Sequence, residues 1–191
     1  ISQNPMGGFS RIKNRQKKGR DVIPDHVMQQ IRDYLMLNNK HFLLACEILP
    51  IYLFGLVAFI SKVGEFHLQS DTLTLYGDHT KNGNDAVITL PNHVIKLMID
   101  LNVFSYPSQY YLFSDNFCPG ETRKSEKSFR DYWGRNLRRA LGFSERYKFY
   151  SLKDTGITNM LKANADILSV RDQARHSSIL ITDIYTPKDI K

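Results

Sequence analysis

Residues 148–187 read KFYSLKDTGITNMLKANADILSVRDQARHSSILITDIYTP, and the prediction of the fold starts from them. Two blocks of polar and chargeable groups flank a helical segment, and Tyr185 follows His176 by nine residues. A phenol, an imidazole and several cations in one short span are the groups that phosphoryl transfer requires. An ordinary helical C-terminus with Tyr185 packed on the core explains the same residues, and chemistry alone favours that interpretation.

The composition is that of a globular protein with enough residues for a core. The 191 residues are 42% hydrophobic and 24% charged, which suits one domain, or one domain and a small extension. Lys and Arg number 26 against 19 Asp and Glu, so the net charge of +7 suits a polyanion such as DNA or RNA, although it also fits mere solubility. Cys46 and Cys118 lie far apart without metal-type neighbours, so neither a zinc site nor a disulfide framework is indicated, and a reducing cytoplasm fits.

A basic run precedes the first predicted helix. Residues 11–20 read RIKNRQKKGR, and six of these ten residues are cationic. We interpret residues 1–23 either as a solvated linker or as a flexible arm that binds a phosphate backbone without base specificity. The six cations are Arg11, Lys13, Arg15, Lys17, Lys18 and Arg20.

Hydrophobic periodicity predicts a helix that starts at Pro24 and ends at Asn38. The most apolar part of the chain follows, at residues 42–60. These nineteen residues are nearly enough to span a bilayer, which leaves a membrane-associated protein as one hypothesis. Glu47 and Pro50 interrupt the run, however, so we favour a buried central helix or helix pair and expect no membrane partner.

Three short strands are predicted next, at residues 65–68, 72–76 and 86–90. Asn82-Gly83 predicts a hairpin between the second and third strands, because both residues tolerate a positive φ. Lys81 then lies near the hairpin turn, where its side chain can reach outward.

Helices account for most of the remaining chain. Ser151 is expected to cap one of them, and Asp154 in its first turn to complement the cap. The last helix begins near Ser178 and carries Tyr185. The fold class is therefore α+β, mostly helical with a small three-stranded antiparallel sheet. The predicted helices start near residues 92, 125, 151, 166 and 177.

The order of elements and the tail residues resemble the catalytic domain of tyrosine recombinases, the phage-integrase family. The tail is most similar to integrases of Bacteroides-type mobile elements. The most specific similarities are the turn at residues 175–179, the nine-residue step to Tyr185, and the sheet that carries Lys81. The resemblance covers nearly the whole chain and implies that residues 24–191 form the catalytic domain. Residues 1–23 would then link it to N-terminal core-binding and arm-binding domains that this chain lacks.

The resemblance implies a site-specific DNA recombinase that acts in DNA integration. In this family a tyrosine attacks a DNA phosphodiester, stays joined to the 3′-phosphate and releases a 5′-hydroxyl, and a second 5′-hydroxyl reverses the step. The phosphotyrosine conserves the bond energy, so no metal and no other cofactor is expected. The implied partners are double-stranded DNA and other protomers in a tetramer on paired sites, in the bacterial cytoplasm.

The family's site residues transfer to this chain unevenly. Tyr185 matches the nucleophile, and His176 matches the histidine that hydrogen-bonds the phosphate. Lys81 matches the lysine that protonates the leaving oxygen. The family's His-x-x-Arg block falls on Tyr150 and Lys153, so a hydrogen-bond donor and a charge are kept, but the bidentate arginine fork is lost.

The largest departure is the family's first arginine. Its position falls near Phe54, and the acidic residue that usually follows falls on Val57. A second departure is Asp154, at a position that is often histidine. Each lost phosphate ligand costs roughly 10²–10³ in rate. A DNA-binding protein on the same fold, with weak or absent cleavage, is therefore the alternative to a recombinase.

Three cations near these blocks are candidate substitutes for the missing arginine. They are Lys153, Arg171 and Arg175. Arg175 adjoins His176, but neighbouring residues on a helix point about 100° apart. Its simplest role is therefore a contact with the DNA backbone or a surface ion pair.

Overall fold

The computed structural model describes residues 19–51, 59–79, 83–174 and 178–186. Helices dominate these residues, and three short strands form one antiparallel sheet, as predicted. The helices are α1 (Asp25–Asn38), α2 (Lys40–Ile51), α3 (Asn92–Asp100), α4 (Glu126–Asp131), α5 (Arg138–Leu141), α6 (Ser151–Lys162), α7 (Ile167–Ala174) and α8 (Ile179–Asp183). The strands are β1 (Phe66–His67), β2 (Thr72–Leu75) and β3 (Ala86–Thr89).

Helix α2 is the centre of the core. Its residues 42–49 are all buried, which explains why this segment is the most apolar of the sequence. Asn39 separates it from α1, and the Asn39 side chain accepts a hydrogen bond from the Phe42 amide at 2.8 Å. Glu47 is buried inside this helix because Arg32 of α1 donates hydrogen bonds to its carboxylate. Among the described residues, no helix is long and apolar enough to cross a membrane.

The sheet has the order β1-β2-β3 with antiparallel pairing throughout. Leu73 of β2 lies opposite Ile88 of β3, and both side chains are buried on the same face. The predicted pairing of the second and third strands is confirmed. Gly83 has a φ of +67°, the left-handed region that glycine adopts without cost. Lys81, just before it, lies outside the described residues.

Buried aromatic rings join the helices across the core. The rings of Phe59 and Phe129 are 4.2 Å apart, and Phe149 stacks on Phe129 at 5.7 Å. The helix predicted from residue 125 is interrupted by a π-helical turn at Tyr132–Leu137, which separates α4 from α5. Gly142 ends α5 in the left-handed conformation, as predicted.

Helix α6 packs against α2 and carries part of the candidate site. The prediction that Ser151 caps this helix is wrong, because Tyr150 before it is already helical and Ser151 is the first helical residue. The Ser151 hydroxyl instead accepts a hydrogen bond from the Lys148 amide and donates one to the carbonyl of Arg146. Asp154 is therefore not the complement of a cap.

The residues just before α1 are packed onto α6. Ile23 is only 1% exposed, and its amide donates to the Thr155 hydroxyl at 2.9 Å. Asp21 binds the guanidinium of Arg146, and its amide donates to the Arg146 carbonyl. These contacts fix the direction of the preceding residue, Arg20.

Candidate active site

Tyr185 follows α8 at the surface of α6. The Ser178 side chain accepts a hydrogen bond from the Leu180 amide at the start of α8, and the Tyr185 amide donates to the Thr182 carbonyl at the end of α8. The tyrosine ring packs against a small buried cluster that joins α6 to α7, formed by Ile157, Leu161 and Val170. The interpretation of Tyr185 as a packed residue is thus correct for its ring, while its hydroxyl makes a separate polar contact.

The Tyr185 hydroxyl donates a hydrogen bond to the Asp154 side chain. The distance from Oη to Oδ1 is 2.9 Å. Asp154 lies in the first turn of α6 and is 3% exposed. A phenol and a carboxylate that lie 31 residues apart in the sequence are therefore in direct contact.

Arg20 binds the same carboxylate. Its Nε donates to Oδ2 of Asp154, and its Nη2 donates to Oδ1 at 3.1 Å. The guanidinium carbon also lies 5.6 Å from the centre of the Tyr150 ring, a cation–π distance. Arg20 therefore belongs to the Tyr185 site, although its sequence position assigned it only to the basic lead-in.

The contacts in this cluster change the ionisation of its members. Burial, followed by the charge and the hydrogen bond of Asp154, raises the pKa of Tyr185 well above that of an ordinary phenol. Burial opposes the charge of Arg20, but the hydrogen bond and charge of Asp154 together hold the pKa of Arg20 above its usual value. Tyr185 is consequently a neutral phenol at physiological pH.

Tyr150 has its hydroxyl directed away from this carboxylate. The hydroxyl donates to Oε1 of Glu126 in α4 at 3.3 Å. Burial, followed by the charge and hydrogen bond of Glu126, raises the pKa of Tyr150. Lys153 is half-buried on α6, next to Asp154. The expected phosphate contacts of Tyr150 and Lys153 remain predictions.

Several predicted site residues lie outside the part of the chain that the structure describes. Their roles remain predictions from the sequence. They are Arg11, Lys13, Arg15, Lys17, Lys18, Phe54, Val57, Lys81, Arg175 and His176. Of the three candidate substitute cations, Lys153 and Arg171 are described. Arg171 binds the neighbouring Asp172. The described residues contain no group of three or more histidines, cysteines or carboxylates that could hold a metal ion.

Arg20 and Tyr150 also line a basic cavity. Its volume is about 410 Å³. Its cationic lining residues are Arg20, Arg130, Arg138 and Lys148. Arg138 binds Glu145 at 3.2 Å, so part of this charge is neutralised within the protein.

Sequence reasoning missed the pairing of Asp154 with Arg20. Asp154 was assigned to a helix cap because a carboxylate in a first helical turn usually has that role. Arg20 is one of six cations in a run, and no spacing rule relates it to a residue 134 positions later. The one signal was that Asp154 replaces a residue that is often histidine in the resembled family.

The described fold is that of the tyrosine recombinase catalytic domain, as solved structures show. The XerA recombinase superposes with a TM-score of 0.70 at 16% identity, over 89% of this chain and 60% of its own. The Tn1549 transposon integrase in complex with transposon right end DNA gives 0.71 at 12% identity, over 98% of this chain and 68% of its own. The XerH site-specific recombinase bound to its difH substrate gives 0.70 at 16% identity, over 91% and 52%.

The chain spans about 60% of the length of XerA and 52% of that of XerH. No protein-family model matches the chain, and no curated protein matches its sequence. At 12–16% identity these structures establish the shared fold. Activity has to be argued from the site.

Proposed function

We propose that the protein is a site-specific DNA recombinase of the integrase type, which breaks and rejoins strands through a 3′-phosphotyrosine at Tyr185. The observation that carries the proposal is the contact of the Tyr185 hydroxyl with Asp154, which Arg20 binds at the same time. It supports the proposal because a phenol with a proton acceptor and a cation beside it has the groups that covalent phosphoryl transfer uses. The shared fold is the second support.

The other roles follow the resemblance. His176 hydrogen-bonds the phosphate, and Lys81 protonates the departing 5′-oxygen. Lys153 supplies charge to the phosphate in place of an arginine. Tyr150 contributes a hydrogen bond once its hydroxyl leaves Glu126. Arg175 contacts the DNA backbone, as do the cations of residues 11–18.

The proposal extends to the setting in which the enzyme works. Its partners are double-stranded DNA and further protomers in a tetramer on paired sites. Its relatives are integrases of Bacteroides-type mobile elements, in the bacterial cytoplasm.

Adduct formation on nicked DNA tests the proposal. Nicked suicide duplexes that carry the ends of the host element are incubated with the protein, and covalent protein–DNA adducts are resolved on denaturing gels. The wild type is expected to form an adduct, and Tyr185→Phe to abolish it, because only the hydroxyl is lost. Tyr76→Phe removes an exposed hydroxyl elsewhere and should leave the yield unchanged. Absence of an adduct on every cognate site, with DNA binding intact, contradicts the proposal.

A DNA-binding protein without cleavage activity is the second candidate. It is favoured by Phe54 at the position of the first arginine and by an anionic side chain on Tyr185. The double substitution Phe54→Arg with Lys153→Arg separates the two candidates. Adduct yield that rises from zero indicates an intact fold with a degenerate site. A wild type that is already active refutes this candidate.

A further inference from the structure

Asp154 is a buried carboxylate in contact with the reacting atom of the proposed nucleophile. We propose that Asp154 accepts the proton of Tyr185 during strand cleavage, and that Arg20 positions this carboxylate. The inference rests on the proposed function, and it assigns catalytic work to a residue that was first expected to complement a helix cap. Arg20 acts through Asp154 and is therefore a positioning residue.

The geometry is that of a held proton acceptor. The Tyr185 hydroxyl lies 2.9 Å from Oδ1, within the range that a general base requires. The carboxylate is attached to the first turn of α6, a helix that is fixed to the core through α2. Its second oxygen is bound by Nε of Arg20, so the carboxylate cannot rotate freely away from the phenol.

The contact explains how a phenol with a raised pKa can attack. Ionisation of Tyr185 before the reaction is suppressed by burial and by the charge of Asp154. Transfer of the proton during attack avoids this cost, because an electron pair of Oη forms the bond to phosphorus as the proton reaches the carboxylate, and no free phenolate accumulates. An anion that opposes free ionisation can in this way still assist the nucleophile in the transition state.

The step balances in atoms and charges. The bond from Tyr185 Oη to phosphorus forms, and the bond from phosphorus to the 5′-oxygen breaks. The phenolic proton passes to Oδ1 of Asp154, and the 5′-oxygen takes a proton from the acid expected at Lys81. Ligation reverses each transfer, so Asp154 returns its proton to Tyr185.

Arg20 neutralises the negative charge that Asp154 would otherwise place beside the DNA phosphate. An unpaired anion beside the attacked phosphodiester would repel it, whereas the Arg20–Asp154 pair carries no net charge. Arg20 is itself held, because the Ile23 amide binds Thr155 one residue after Asp154. Arg20, Asp154 and Tyr185 influence one another's ionisation. Arg20 also contacts the Tyr150 ring, and Tyr150 is in turn influenced by Glu126 and Arg130.

Single-turnover adduct formation across pH tests the inference. The full chain is mixed with nicked DNA between pH 5 and 9, and the rate of adduct formation is measured. If Tyr185 passes its proton to Asp154 during attack, the reaction does not require prior loss of the phenolic proton to water, and the rate should be flat between about pH 6 and 8. Asp154→Asn is expected to slow the reaction by about 10²–10⁴ and to make the remaining rate rise with pH. Asp154→Glu should recover part of the rate and the flat profile.

Arg20 variants test the positioning role. Arg20→Gln should lower the rate and alter the pH profile, and Arg20→Lys should restore the flat profile in part, because it restores a charge beside Asp154. The matched control is Arg135→Gln. This substitution breaks an exposed arginine–aspartate pair, with Asp131, and should leave the profile unchanged.

Three outcomes overturn the inference while the proposed function stands. In the first, Asp154→Asn forms adduct as fast as the wild type or faster, which would make Asp154 a restraint on Tyr185. In the second, the wild-type rate rises through about pH 6.5, which indicates a histidine acceptor. In the third, the wild-type rate rises steadily with pH, which indicates attack by ionised phenol.

Two further outcomes are also decisive. If Asp154→Asn has no cooperative thermal transition, the variant is not folded and its rate is not informative. The pH profiles of the wild type and of the Arg20 variants then decide the inference. If the wild type forms no adduct on any cognate site, the proposed function fails, and the inference fails with it.

Discussion

Burial, and after it the side chain of Asp154, keeps Tyr185 protonated by raising its pKa. A neighbouring anion stabilises the protonated phenol in two ways, through its negative charge and through the hydrogen bond that it accepts. Burial acts in the same direction. The carboxylate is the part of this environment that a conservative substitution can remove.

Asp154→Asn should lower the pKa of Tyr185, because the amide has no negative charge. The chain has ten tyrosines, so the measurement is a difference. Near-ultraviolet absorbance is titrated for the variant and for its Tyr185→Phe double, and the same pair is measured in the wild-type background.

Glu126→Gln is the matched control for this titration. It removes the anion that binds Tyr150, so it should lower the pKa of Tyr150 and leave that of Tyr185 in place. An unchanged Tyr185 pKa in Asp154→Asn would contradict the contact between Asp154 and Tyr185, whatever the activity of the protein on DNA.

The sequence singled out Tyr185 because a phenol, an imidazole and several cations lie in one short span, and its catalytic role remains a prediction. Its partner was not found, since Asp154 satisfies a local rule for helix starts and nothing local reveals a long-range contact. Arg20 was missed for the same reason, because a salt bridge across 134 residues depends on how two segments pack.

The contact of α6 with α2 depends on Gly156. A Cβ atom built on Gly156 would overlap the carbonyl oxygen of Pro50 and lie 2.9 Å from its carbonyl carbon. Backbone atoms cannot move aside as a flexible side chain would, so the two helices would have to separate. Asp154 lies on the same helix, two residues before Gly156, and would move with it.

Gly156→Ala should therefore destabilise the protein by about 1–3 kcal/mol, the usual cost of overpacking. For a chain of this length each kcal/mol lowers the melting temperature by about 2–4 °C. Thermal unfolding followed by circular dichroism measures the change.

The matched control is Gly134→Ala in the π-helical turn. A Cβ atom built there meets nothing within 4 Å, so the alanine should stabilise the chain by about 0.5–1 kcal/mol. If both substitutions changed stability in the same direction, the close approach of α6 to Pro50 would not be the cause.

Elements with a clear period were predictable, and those set by tertiary contacts were not. Leu73 and Leu75 share one face of β2 because alternation along a half-buried strand requires it. The hydrophobic spacing did not reveal the π-helical turn at Tyr132–Leu137, since Phe129 before the turn and Leu137 at its end are both buried. The Trp133 indole donates to the Tyr147 carbonyl at 2.7 Å, a contact that depends on the later chain.

Across the whole molecule, the net positive charge is the property on which the proposed binding of DNA depends. The net charge is +7, and six cations lie within residues 11–20. One of the six, Arg20, is bound to Asp154 and is not available to a distant phosphate in this arrangement. Substitution of the five others can distinguish the two interpretations of the lead-in. An arm that binds DNA releases counterions from the phosphates and makes affinity depend on salt, whereas a solvated linker does not.

Replacing Arg11, Lys13, Arg15, Lys17 and Lys18 with glutamine should weaken the dependence of DNA affinity on salt. The slope of log Kobs against log salt falls by about 0.9 for each phosphate contact that is lost, and thus by up to roughly 4–5 for five contacts. Fluorescence anisotropy with a labelled duplex, titrated at several salt concentrations, measures both slopes. The control replaces two exposed lysines outside the lead-in, Lys40 and Lys96, which should change the slope much less. An unchanged slope after the fivefold replacement would assign residues 11–18 to a solvated linker, and DNA binding would then rest on the catalytic domain itself.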